Sequence, residues 1–87
     1  MANQLNKKPI GAVTHYYGKM GVAIIKFSRE VKKGEVVHFK GATTDFEQKI
    51  DSIQFDHKDL EAAPKGKEVG IKVKEKVRGG DEVFEVV

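Results

Sequence analysis

His15, Tyr16, Tyr17 and Lys19 fall within five consecutive positions, the densest polar-aromatic group in the chain. The face of a Tyr or His ring can stack on an unpaired base, and a nearby ammonium can neutralise phosphate. The same aromatic surface can equally pack on a partner protein. That chemistry is binding rather than catalysis. Lys26, Arg29, Lys72 and Lys74 would add charge if their strands are neighbours, as would Lys76 and Arg78. The expected RNA- or partner-binding set is therefore His15, Tyr16, Tyr17, Lys19, Lys26, Arg29, Lys72 and Lys74. The competing reading is an ordinary solvated sheet face, since charge runs are commonly no more than that. Tyr16 and Tyr17 are consecutive, so in a strand only one of them points inward.

Catalysis has less to stand on. The histidines, His15, His38 and His57, sit on three separate segments with no metal-ligand spacing. Ser52 and His57 are five residues apart, on opposite faces of an extended strand, so they do not form a nucleophile and base there. Asp45 and Glu47 read as turn and strand-edge residues rather than an acid/base pair. With no cysteine, neither a disulfide framework nor a thiolate zinc site is available, and a reducing cytoplasm is the expected compartment. We expect no catalytic activity, no metal and no cofactor.

The elements that must position these residues follow from the pattern. Ile10–Tyr17 and Val22–Phe27 are two β-branched and aromatic runs separated by Gly18 to Gly21, which predicts a β-hairpin with Val13, Val22 and Ile24 in the core and Ile25 as a further candidate. Residues 28–35 read as a charged loop anchored by Val31. Val36–Lys40 is a third strand, and Phe46–Phe55 a longer one whose apolar spacing slips around Asp51 and Ser52, predicting a bulge or bend. A helix over Phe46–Ile53 is the alternative there. Residues 56–67 form a connection with a small strand or turn and Leu60 packed inward. Glu68–Lys74 alternates cleanly, Val69, Ile71 and Val73 against Lys72 and Lys74, and Val83–Val87 is the last strand.

Glycine and charge precede three of these strands, at Lys33-Gly34-Glu35, Lys65-Gly66-Lys67 and Gly79-Gly80-Asp81. Glycine there permits the positive φ that sharp turns require. Short strands joined this way, with no convincing amphipathic helix, predict an all-β fold, a small closed barrel of six or seven strands. A chain of 87 residues suffices for one such domain. We expect a flexible tail over Met1–Lys8 and one domain over 9–87. The start, MANQLNKKP, has no apolar signal-peptide core, and no run is long enough to span a bilayer. Sixteen Lys and Arg against thirteen Asp and Glu give a charge of +3, a basic excess that permits a polyanionic partner without requiring one.

Several of these residues also match a known family. The Gly34-Glu35 turn, Gln48-Lys49-Ile50-Asp51-Ser52-Ile53, Ala62-Ala63-Pro64-Lys65-Gly66 before Val69-Gly70-Ile71, and Gly80-Asp81-Glu82-Val83 together resemble the second domain of translational GTPases. The chain is most similar to the small proteins called translation elongation factor-like, and more distantly to the β-barrel that ends some U32 peptidase family proteins. The resemblance implies a translation-factor domain 2 barrel, a module that contacts RNA or packs against a catalytic domain. It puts the hairpin from His15 to Val22 near the strand and turn lining a tRNA-end pocket, in location only, because THYYGKMG does not reproduce the family's residues. Lys67 stands where the family has an acid. Gly18-Lys19-Met20 lacks the spacing of a phosphate-binding loop, so GTP hydrolysis is not expected. The leading expectation is a non-catalytic barrel binding tRNA or rRNA in a translation-related role. The alternative is an interaction or accessory module that packs on a separate catalytic partner.

Overall fold

The computed structural model describes residues 8–86, and every regular element within them is a strand. The strands are β1 (Gly11–Tyr17), β2 (Val22–Phe27), β3 (Val31–Lys32), β4 (Val36–Lys40), β5 (Asp45–Lys49), β6 (Ile53–Phe55), β7 (Lys58–Asp59), β8 (Ala62–Ala63), β9 (Glu68–Lys72) and β10 (Glu82–Glu85). Eight of them form one antiparallel sheet in the order β5-β4-β10-β1-β2-β9-β6-β7, and β3 pairs with β8 as a separate ribbon. No helix is long and apolar enough to cross a membrane among the described residues. The expected tail over Met1–Lys8 lies outside them except for Lys8, as does Val87, the expected end of the last strand.

The all-β expectation holds, but the closed barrel is corrected. The ladder is open, with β5 and β7 as its end strands and no main-chain pairing between them among the described residues. The reason is strand length. β6 has three residues and β7 two, and their hairpin turns back at Asp56 and His57, whose φ angles of 54° and 64° mark a two-residue turn of the I′ kind. Nothing remains to run alongside β5. Where a closing strand would fall, the buried Gln48 side chain donates to the Lys72 carbonyl at 2.8 Å and accepts from the Lys74 N–H at 2.9 Å. Its primary amide serves two main-chain groups lying beyond the Ile53–Ile71 pair that ends the β6–β9 ladder.

The core takes one face of each long strand: Val13, Ala23, Ile25, Phe27, Val37, Phe39, Val69, Ile71 and Val83 are all at most 1% exposed. This corrects the predicted hairpin core. Val22 and Ile24 lie on the opposite face and are half-buried. Both faces of β2 are apolar, and burying Ala23, Ile25 and Phe27 removes more apolar area from water than burying Val22 and Ile24 would. Val31 is no mere loop anchor. It pairs with Ala63, and both are completely buried. The predicted long strand breaks between β5 and β6, where the Ile50 N–H bonds the Glu35 carbonyl and the Ile50 carbonyl accepts from Gly34, so the chain bends and no helix forms. Gly34, Gly66 and Gly80 all have positive φ, at the three turns the sequence marks.

A buried polar contact ties two turns together. Asp81 accepts from the Thr44 hydroxyl and from the Arg78 N–H, and both Asp81 and Thr44 are buried. Its carboxylate occupies the space over Gly41, where a Cβ would lie 1.9 Å from Oδ1.

Candidate interaction face

The outer surface of the hairpin is set by register. A β-bulge between Val13 and His15 shifts the pairing, so that His15 lies opposite Ile24, Tyr16 opposite Ala23 and Tyr17 opposite Val22. Ile24 in turn pairs with Gly70, and Gly70 with Gln54, giving one row across β1, β2, β9 and β6. The adjacent row is Tyr17, Val22 and Lys72. The rings of His15 and Tyr17, two residues apart on one strand face, have centroids 4.3 Å apart. Gly70 leaves a low point that Val22 covers, its Cγ1 lying 3.3 Å from where a Cβ would be. Tyr17 is 47% exposed and Met20, at the hairpin tip, 63%. The result is a continuous aromatic and aliphatic surface with lysine at its edge.

The structure brings only part of the predicted set together. His15, Tyr17 and Lys72 share the face, with Lys19 exposed in the turn at its end. Tyr16 faces the other way and packs against the core. Lys26 lies on the same outer surface further along β2, opposite Ala12 and Glu68. Arg29 is engaged elsewhere: its guanidinium lies 3.0 Å from Glu35 and 3.2 Å from Glu85. Burial pushes the Glu35 carboxyl up, but bonds from Arg29 and the Lys32 amide outweigh it and hold Glu35 below its ordinary value. Lys74 follows β9, beside a groove lined by Gln48, Lys49, Asp51, Ser52, Lys72, Val73 and Lys74.

Val22, Ile24, Gly70, Gln54 and Met20 are the members of this face that sequence reasoning missed. Gly70 carried a readable signal, because a glycine inside a clean strand alternation marks a close approach. Away from the face, His38 Nε2 is 2.5 Å from Asp45 Oδ1, and its other ring nitrogen 3.6 Å from Glu47. Bonds from His38 and then Lys40 lower the Asp45 pKa. These are cross-strand pairs of β4 and β5. Among the described residues no group of three or more His, Cys, Asp or Glu is placed to hold a metal ion.

No protein-family model matches the chain. It is 39% identical over 84 residues to an uncharacterized protease of Methanocaldococcus jannaschii, covering 95% of this chain and 21% of that protein. It is 34% identical over 80 residues to a collagenase of Porphyromonas gingivalis, covering 90% of this chain and 22% of the collagenase. The chain thus spans about a fifth of the length of these curated relatives. Its fold superposes on the C-terminal domain of a Geobacillus thermoleovorans protein assigned as a U32 peptidase, with a TM-score of 0.84, 26% identity, and coverage of 91% of this chain and all of that domain. A second structure of that domain matches with the same TM-score at 23% identity, which speaks to the fold alone.

These findings overturn the translation-factor expectation. The similarity runs to proteases and to the terminal domain of a U32 peptidase, the resemblance ranked more distant from the sequence. The elongation-factor assignment and the translation-related role fall together, and RNA binding is not shown.

Proposed function

We propose that this chain is a non-catalytic accessory module that packs on a catalytic domain of the U32 peptidase kind through its hairpin face. The observation that carries the reading is the match to a whole C-terminal domain, which in its own protein is one part of a larger whole. The small share of the curated relatives that the chain spans supports it further. The face suits the role. Tyr17 and Met20 are exposed and Val22 and Ile24 half-exposed, and aromatic residues and Met are enriched where proteins meet. The catalytic chemistry then belongs to the partner domain, since the titratable clusters here are engaged with one another, Arg29 with Glu35 and Glu85, and His38 with Asp45.

The reading is tested by mixing the protein with a U32 peptidase catalytic domain encoded in the same genome and measuring mass by light scattering during gel filtration. A stoichiometric complex is expected, one that tolerates salt and is lost in the Tyr17→Glu, Ile24→Glu double variant. Absence of a complex, or one that ignores the double substitution, refutes it.

A further inference from the structure

We infer that the groove between β5 and β9 binds an acidic polypeptide segment in extended form. The groove has a volume of about 470 Å³ and lies where the ladder fails to close, between Gln48–Ser52 and Lys72–Lys74. Lys49, Lys72 and Lys74 line it, against Asp51 as the one acid of the lining. None of these lysines is within ion-pair distance of a carboxylate among the described residues, whereas Arg29, Lys33 and Lys40 are all paired. Three lysines without an ion-pair partner among the described residues therefore border one groove.

The backbone beside the groove favours a strand-like occupant. Gly41 and Thr44 bond each other across the turn, and the Ile50 N–H bonds Glu35, so Thr44, Phe46, Gln48 and Ile50 direct their main-chain groups at β4 and its flanks. By antiparallel alternation Asp45 and Glu47 turn their N–H and C=O groups to the open edge of β5, as Lys49 does its N–H, while the Lys49 carbonyl accepts from Gln48 Nε2 at 3.4 Å. An extended segment adds to such an edge through main-chain bonds, with alternate side chains supplying specificity. The acidic side chains of that edge do not repel it unopposed, because Asp45 is held by His38 and Lys40, and Glu47 faces His38. A single-stranded nucleic acid fits less well: no aromatic ring lines the groove, so bases have no platform on which to stack. Lys72 borders both this groove and the hairpin face, whereas Lys49 and Lys74 belong to the groove alone, so peptide binding is measured on the protein without a docking partner.

Fluorescence anisotropy with a labelled decapeptide of alternating Glu and Val, blocked at both ends, tests it. The expected result is binding about tenfold tighter than to the Gln-Val counterpart, a loss consistent with several surface ion pairs. Changing Lys49, Lys72 and Lys74 together to Gln abolishes that preference, while changing all three to Arg retains it. The Gln variant keeps the Gln48 bonds, which use main-chain atoms of Lys72 and Lys74, and a thermal melt verifies its fold. The inference is overturned if the two peptides bind alike, if the preference survives in the folded Gln variant, or if a ten-residue oligothymidine binds as tightly as the acidic peptide.

Discussion

Replacing Gln48 by Met would keep the length and burial of the side chain while removing both of its polar atoms. The Lys72 carbonyl and Lys74 N–H would then lose the partners they have at 2.8 and 2.9 Å. Each main-chain group left without a partner costs about 1–3 kcal/mol when buried. The adjoining groove lets water reach them, so the pair together should cost about 2–3 kcal/mol, toward the low end of that range. For a domain of this size the melting temperature should fall by roughly 10–20 °C. Gln48→Glu separates the two bonds, since a carboxylate still accepts from the Lys74 amide but cannot donate to the Lys72 carbonyl. Its charged oxygen would face that carbonyl from a buried position, so at neutral pH its melting temperature should lie at or below that of the Met variant. Thermal and urea unfolding monitored by circular dichroism gives the stabilities, and amide exchange at Lys74 reports the seam locally. If Gln48→Met melts within about 2 °C of the parent, against the shift expected for two lost bonds, Gln48 does not substitute for the missing strand.

Other substitutions probe the remaining polar anchors. Gly41→Ala should destabilise by about 2–4 kcal/mol, because its Cβ would displace the Asp81 carboxylate from Thr44 and Arg78. Adding Asp81→Ala should make the pair clearly less than additive in urea unfolding, and full additivity would contradict the contact. His57→Gly should stabilise by about 0.5–1 kcal/mol, since glycine adopts its φ of 64° without a Cβ penalty, and a loss of stability would count against strain at that turn. Glu35 and Asp45 have folded pKa values below their ordinary 4.5 and 3.8, so their contribution is complete above those values and is lost as pH falls through the depressed ones. Thermal melts should therefore decline below about pH 4.5, and less steeply in Glu35→Gln, which keeps an acceptor for Arg29 but cannot titrate. An unchanged acid slope in that variant would exclude Glu35 as a source.

The parts of the fold legible in the sequence were those governed by local rules. β2 and β4 run from Val22 to Phe27 and from Val36 to Lys40 as their composition predicts, and the glycine turns at 34, 66 and 80 adopt the positive φ expected of them. What escaped depended on choices between near equals or on distant partners. VAIIKF is apolar on both faces, so its parity is decided by which side packs against Val13 and Val69, not by alternation. Val31 and Ala63 make a strand pair too short to carry a periodic pattern. The open seam is bridged by Gln48 reaching main-chain atoms 24 and 26 positions away, a pairing no local window contains.

The same division explains the mistaken family. The motifs that pointed to translation factors, such as Gly34-Glu35 and Gly80-Asp81-Glu82-Val83, build turns and strand starts, and unrelated functions share such architecture. For the candidate site, His15, Tyr17, Lys19 and Lys72 were readable as an exposed group, while Ile24 was hidden in an apparent core pattern.

Docking on a catalytic domain is read residue by residue from amide hydrogen exchange measured with and without a U32 peptidase catalytic domain. Docking should slow exchange along Tyr17 to Ile24 and at Gly70 to Lys72 when the partner is present. Protection confined to another surface, or none at partner concentrations that saturate a stable complex, would contradict it.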